Sequence, residues 1–188
     1  MSCVVFFFGM VVVALALVPL TKGSYSRLGR LHFRYFWLLL TALVIQIPLD
    51  YIAFPKDRID DAGFGLLLLS YALIFGFCFV NRKVKGTTII AIGIALNVLV
   101  IALNQGMPTK DDLVTRRGRQ VHVPIERTVK HRPKQDDDLF PFLADVITLP
   151  SVPNQQFSIG DIVISLGIID LCFEASRRPR RRGVPLPL

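Results

Sequence analysis

Five apolar runs divide the chain, at residues 3–20, 35–54, 64–81, 87–104 and 157–173. A helix rises about 1.5 Å per residue, so each run is close in length to the hydrocarbon core of a bilayer, about 30 Å. We therefore predict an all-α membrane protein with five transmembrane helices.

The segment between the fourth and fifth runs is mostly charged, and we predict that it forms one long external loop. Within it, QVHVPIER alternates Val121, Val123 and Ile125, which predicts a short strand interrupted or edged by Pro124. Residues 139–149 are apolar but too short to span, and they predict an interfacial or re-entrant helix with Pro141 in its first turn. The predicted organisation is a four-helix region at 1–104, this loop at 105–156, a fifth helix at 157–174 and a basic tail at 175–188.

Composition agrees with a membrane protein. The chain has 188 residues, of which 52% are hydrophobic, and its mean hydropathy is +0.51. A soluble fold would leave large apolar patches exposed. The net charge of +8 lies between the apolar runs and in the tail, which is typical of membrane anchoring, so we expect no nucleic acid partner.

Lysine and arginine predict the orientation. One set of short segments holds Lys22, Arg27, Arg30 and Arg34, then Arg82, Lys83 and Lys85, then Arg177, Arg178, Arg180, Arg181 and Arg182. The opposite side has Lys56 and Arg58 in its short loop and eight basic residues in the long loop, whose length reduces their influence on topology. We predict the N-terminus outside and the C-terminus inside, with the tail arginines on anionic lipid head groups.

Two smaller questions concern the first run and the cysteines. Ala14-Leu15-Ala16 has the form of a signal-peptide cleavage site, but no basic residue precedes the run, which favours a retained helix. Cys3, Cys78 and Cys172 all lie in apolar runs without a paired partner in sequence, so we expect no disulfide.

The fifth run contains two aspartates. Ser158 and Asp161 have the S-x-x-D spacing of a capping box, and Gly160 lies between them, so a structural role at the helix start is predicted. Asp170 is nine residues further on, near the inner interface, and we predict an ion pair with Arg82, Lys83 or the tail arginines.

A sharper hypothesis is a shared polar site at the outer ends of the helices. Gln46 and Asp50 are four residues apart on one helical face, and Asn97 lies near mid-membrane on the fourth run. Such groups could bind a cation or a polar head group if they converge. The candidate ligand-binding residues are Gln46, Asp50, Asn97, Asn104, Asp145 and Asp161.

No enzyme motif supports catalysis. HExxH, GxSxG, Walker and dinucleotide fingerprints are missing from the sequence, and we expect no cofactor. His122 and His131 match no metal-ligand spacing and are interpreted as loop residues in water, and the identity of any metal stays unknown.

The motifs SRLGRLHFR, LNVLVIALNQGMP, FLADVITLP and FSIGDIVISLG resemble an uncharacterised family of small bacterial multi-pass membrane proteins, a domain of unknown function, over residues 25–170. The family pattern has glycine where this chain has Gln105 and often where it has Ala144. The resemblance implies fold and location but no activity. It singles out Asn104, Gly106, Met107, Pro108, Asp145, Pro150, Gly160 and Asp161.

The sequence thus favours a non-catalytic accessory or scaffold protein of the bacterial cytoplasmic membrane, with a membrane protein as its partner. The rival hypothesis is a small transporter or a protein that binds cations or head groups at the outer carboxylates. A polar path from Asp161 through Asn97 to Asn81 would favour transport, and an apolar inner half would favour the scaffold.

Overall fold

The computed structural model describes residues 2–51, 62–110, 112–116, 119–123, 127–148 and 156–177. Side chains 2–8, 50–51, 112–123 and 148 lie outside that description. The described residues are mostly helical, with six helices and six short strands. The helices are α1 Ser2–Leu20, α2 Tyr25–Leu28, α3 Phe36–Tyr51, α4 Phe64–Val80, α5 Thr87–Asn104 and α6 Ile159–Ser176.

The prediction of a mostly helical chain is confirmed, but the five-span prediction is supported for one helix only. Within the described residues, α5 alone is long and apolar enough to cross a membrane by length and composition. The apolar helices at Phe36–Leu49 and Phe64–Val80 are shorter, while α6 has 18 residues but carries Asp161, Asp170 and Glu174.

The start of α3 shows why one apolar run gives a shorter helix. Tyr35 has a left-handed backbone with φ of +52°, and the backbone of Arg34 is hydrogen-bonded on both sides by the Asn81 side chain. These two features keep residues 34 and 35 out of the helical ladder, so the helix begins at Phe36.

Helix packing places α6 between α1 and α5, and α4 between α5 and α3. The contact of α5 with α6 depends on glycine: a Cβ on Gly93 would lie 2.7 Å from the Gly160 carbonyl oxygen, and one on Gly167 would lie 2.7 Å from Ile90. The same pairs show that the two helices are antiparallel. Glycines at such contacts let backbones approach closely, as in membrane helix pairs.

Six short strands lie between α5 and α6 in the chain, and we call them, together with the described segments that connect them within residues 107–157, the cap. They are β1 Met107–Thr109, β2 Asp112–Arg116, β3 Arg119–Val123, β4 His131–Pro133, β5 Ile147–Thr148 and β6 Gln156–Phe157. β1 pairs in parallel with β4, β2 pairs with β3 in antiparallel register, and β5 pairs with β6. The predicted strand is present at Val121 and Val123 as part of β3, and Pro124 and Ile125 lie outside the described residues.

The predicted interfacial helix at 139–149 is wrong for the described residues. Residues 139–146 form bends, turns and an isolated bridge, and β5 follows. Phe140 has a φ of +54°, Leu139 is hydrogen-bonded through its backbone to Asn104, and Asp145 forms a bridge with Thr109. These contacts use backbone groups that a helix would need for its own ladder.

A buried core joins the helices to the cap. Leu67, Ile94 and Ile101 from the helices belong to one apolar cluster with Met107, Val129 and Leu143 from the cap. The cap is consequently fixed on the helix ends by packing as well as by hydrogen bonds.

Candidate functional site at the junction of helices and cap

Asp161 begins the site because its position is fixed by the start of α6. Its backbone N–H donates to Ser158 Oγ at 3.0 Å, and its Oδ2 accepts from the Ser158 backbone N–H at 3.0 Å. The predicted capping box is therefore present, and it satisfies two N–H groups that the helix itself leaves without partners. Asp161 is only 3% exposed.

Asn97 of α5 completes a closed ring of hydrogen bonds with these two residues. Its Nδ2 donates to Asp161 Oδ1 at 2.9 Å, and its Oδ1 accepts from Ser158 Oγ at 2.9 Å. Both carboxylate oxygens of Asp161 and both amide atoms of Asn97 are thus paired. A fully satisfied buried network fixes the register of the two helices.

Gly160 makes room for this ring. A Cβ at this position would collide with the Asn97 side chain and lie 2.7 Å from the Gly93 carbonyl oxygen. Gly160, which was predicted to be a structural residue, therefore allows α5 and the Asn97 side chain to approach the start of α6.

Asp145 approaches from the cap. Its backbone N–H donates to the carbonyl of Pro108 in β1 at 3.1 Å. The buried Pro108 therefore contributes to the contact between β1 and Asp145. Its Oδ2 lies 3.5 Å from His131 Nε2, and its side chain is 7% exposed. Oδ1 of Asp145 is buried and has no hydrogen-bond partner within the described part of the chain.

Burial raises the pKa of the Asp145 carboxyl above its usual range, and the nearby negative charge of Asp161 raises it further. His131, by hydrogen bonding and by charge, and Lys130, by charge, lower this pKa without reversing its direction. Asp145 and Asp161, predicted as members of one site, are therefore close enough to influence each other electrostatically.

Asn104 lies at the end of α5 and bonds to the cap rather than to the carboxylates. Its Nδ2 donates to the Leu139 carbonyl at 3.0 Å, and its Oδ1 accepts from the Leu139 N–H at 2.8 Å. Two other amides pair in the same way with both backbone groups of one distant residue: Asn81 with Arg34, and Gln156 with Lys110. Each side-chain amide donates to the carbonyl and accepts from the N–H of one residue, as a residue of a neighbouring strand does. The three amides therefore hold together segments that are distant in sequence.

Other predicted residues lie elsewhere. Gln46 donates to Ser70 Oγ at 3.0 Å between α3 and α4, and the side chain of Asp50 lies outside the described residues. Asp170 is half-buried, and within the described residues the ion pair at that end of α6 joins Lys85 to Glu174 at 3.1 Å. Of the tail arginines only Arg177 is described, with its guanidinium over the Phe173 ring.

Sequence reasoning missed several polar contacts in the cap. His131 contacts Asp145 instead of lying in water, and Arg132 forms an ion pair with the buried Asp138. Arg132 Nε also donates to the Asn104 carbonyl at 2.7 Å. The segment HRPKQDDD contains His131, Arg132 and Asp138, whereas Asp145 and Asn104 lie outside it, and its spacing alone indicates no particular pairing.

A metal site does not emerge from this arrangement. Across the described ranges, no group of three or more His, Cys, Asp or Glu side chains could hold a metal ion. The junction supplies hydrogen-bonding groups and a buried oxygen of Asp145 that has no hydrogen-bond partner among the described residues.

The protein is thus mostly helical, with a small cap of strands and a buried ring of hydrogen bonds that joins an amide to a carboxylate. A family model matches residues 30–173, and the chain belongs to that family, described as a family of unknown function (DUF5317). The resemblance seen in the sequence motifs is confirmed at this level. No curated protein and no solved structure matches the chain.

Proposed function

We propose that the chain is a multi-pass protein of the bacterial cytoplasmic membrane, with α1, α3, α4, α5 and α6 as its five spans. The large apolar side chains on the outer sides of the helices support this location, because a water-exposed surface of this kind is rare. The exposed residues include Leu40, Leu43, Val44, Ile47, Leu66, Leu69, Phe79, Ile92, Leu99, Leu103 and Leu166. Helices of 16 residues and 17 residues fit a bilayer that thins locally around them.

The contacts between basic segments support the proposed orientation. Arg27 donates to the carbonyl of Ser176 at the end of α6, and Arg177 donates to the carbonyl of Thr21 after α1. Basic residues from the first loop and the tail therefore meet at one end of the helices, away from the cap. We place that end in the cytoplasm, on anionic lipid head groups.

Within that membrane we propose a non-catalytic scaffold or accessory role. The observation that carries it is the closed Asn97–Asp161–Ser158 ring together with the glycine contacts beside it. Between the ring and the basic end, α5 and α6 meet where Gly167 packs against Ile90, and the buried Ser165 of α6 donates to the Asp161 carbonyl of its own helix. A transporter needs charged or polar groups along a path between helices, whereas this contact between α5 and α6 is apolar.

The test is to cross-link the tagged protein mildly in its native membrane, purify it and identify associated proteins by mass spectrometry. A scaffold predicts a membrane protein partner at fixed stoichiometry. Purified protein in liposomes should give no ion flux above that of empty liposomes. A protein recovered alone that supports saturable flux would contradict the scaffold proposal.

A second candidate function is the binding of a small cation or a polar head group beside Asp145. The buried Oδ1 without a partner among the described residues favours it. We would titrate Na⁺, K⁺, Mg²⁺ and a phosphocholine head group against the melting temperature of the wild type, Asp145→Asn and Asp161→Asn. A saturable rise lost in both variants would support this function, and an unchanged rise would contradict it.

A further inference from the structure

An exposed apolar turn projects from the cap. We call residues 139–142 the LFPF turn. Leu139 is 51% exposed, Phe140 43% and Phe142 60%, and the two phenylalanine rings meet edge to face at 6.1 Å. In water, the exposed apolar area of these three side chains would be unfavourable. Such a turn is expected to have an apolar environment.

The backbone of the turn is held in place before any ligand arrives. Asn104 pairs with both backbone groups of Leu139, and Asp138, the preceding residue, accepts from the Gln135 N–H at 2.9 Å and pairs with Arg132. The Leu143 N–H donates to the Phe140 carbonyl at 2.9 Å. The exposed phenylalanine rings are consequently attached to a backbone that these hydrogen bonds hold in place.

The depth of the LFPF turn in the membrane follows from its hydrogen bonds to Asn104. Asn104 is the last residue of α5, the helix whose length and composition suit a membrane span. Leu139 is hydrogen-bonded to that side chain, so the turn lies at the level where α5 leaves the hydrocarbon. Leu99 and Leu103 are exposed on α5 near Asn104, so the apolar surface of this helix extends to the level of the turn.

We propose that the LFPF turn inserts into the membrane interface at the cap end and binds lipid there. This inference rests on the proposed membrane location. Aromatic side chains are favoured at that depth. The exposed Asp136 and Asp137 beside the turn disfavour anionic head groups, so zwitterionic lipid is the expected environment.

Tryptophan fluorescence in phosphatidylcholine vesicles tests the proposal, because Trp37 is the one tryptophan of the chain. Phe142→Trp is made in a Trp37→Phe background, with Leu139→Trp as a second reporter and the exposed Gln135→Trp as the matched control. Quenching by lipids brominated on their acyl chains is compared with quenching by acrylamide. The turn reporters should emit at shorter wavelength and lose most of their emission to brominated lipid, whereas the control should respond to acrylamide.

Wild-type Trp37, exposed at the start of α3, distinguishes a failure of lipid binding by the turn from a failure of the proposed membrane location. If Trp37 is quenched by brominated lipid but the turn reporters respond only to acrylamide, lipid insertion of the turn is overturned and the membrane location stands. If neither quencher reaches the turn reporters, another part of the chain or a second copy of it covers the turn, and lipid binding is again overturned. If Trp37 also fails to respond to brominated lipid, the membrane location itself is contradicted.

Discussion

Asn97 Nδ2 donates to Asp161 Oδ1 at 2.9 Å, and this bond joins α5 to α6 through two residues that are 64 positions apart in sequence. Asp161 is at the same time the N3 residue of the capping box that begins α6 at Ser158. One carboxylate therefore starts a helix and fixes its register against a neighbour. The predictions below follow from that arrangement and from the cap above it.

Replacing Asn97 should weaken the junction. Asn97→Leu removes the donor to Asp161 Oδ1 and the acceptor for Ser158, so we expect a loss of about 1–3 kcal/mol in unfolding free energy. Ile92→Leu, on the exposed side of the same helix, should change it by much less. Equal effects from both substitutions, measured by denaturant titration in detergent, would mean that the ring contributes nothing specific.

Gly160 should tolerate no side chain, in contrast to another helical glycine. Gly160→Ala places a methyl group against Asn97 and Gly93, so the helices must separate and the melting temperature should fall by several degrees. Gly65 in α4 has no atom within 4 Å of the corresponding Cβ position, and Gly65→Ala should be neutral or stabilising because alanine favours helix. A tolerated Gly160→Ala would contradict the close α5–α6 contact.

Asp145 should make stability depend on pH. Burial raises the pKa of the folded-state Asp145 carboxyl above its ordinary value, so between the unfolded and folded pKa values the folded state binds more protons than the unfolded state. Stability therefore falls as pH rises through the folded pKa.

Asp145→Asn should raise the melting temperature at neutral pH, and the gain should vanish on acidification toward pH 4. The exposed Asp137→Asn serves as the control and should show no such trend. A variant that is less stable at neutral pH would mean that the contact with His131 outweighs the cost of burial.

Gln105 occupies a conformation that suits glycine. Its φ is +51° at the end of α5, where a side chain costs about 1–2 kcal/mol. Gln105→Gly should therefore stabilise the protein by a fraction of that cost, since glycine also loses more entropy on folding. Gln105→Ala removes the same side-chain contacts but keeps the strain, so a gain as large in that variant would contradict the explanation.

Local signals in the sequence predicted part of this structure. The S-x-x-D spacing gave the capping box, and the alternation around Val121 and Val123 gave β3, because each depends on residues close together in the chain. The resemblance places glycine where this chain has Gln105, a departure that put tight backbone geometry there in doubt, yet Gln105 adopts the left-handed conformation that glycine favours.

Contacts across the chain were harder to predict. Nothing near His131 indicates Asp145 as its partner, since parallel pairing of β1 with β4 and the Thr109–Asp145 bridge bring them together. The predicted helix at 139–149 failed for a related reason. Its hydropathy suited an interfacial helix, but Asn104 and Thr109 pair with its backbone from outside the segment.

Site-directed labelling in intact bacterial cells tests the proposed membrane topology. In a chain whose own cysteines are replaced by alanine, Gln135→Cys reports on the cap and Lys83→Cys on the opposite end; both positions are exposed. A membrane-impermeant thiol reagent should label Gln135→Cys in intact cells and Lys83→Cys only after permeabilisation. Equal labelling of both positions in intact cells, or recovery of the protein in the soluble fraction, would contradict the account.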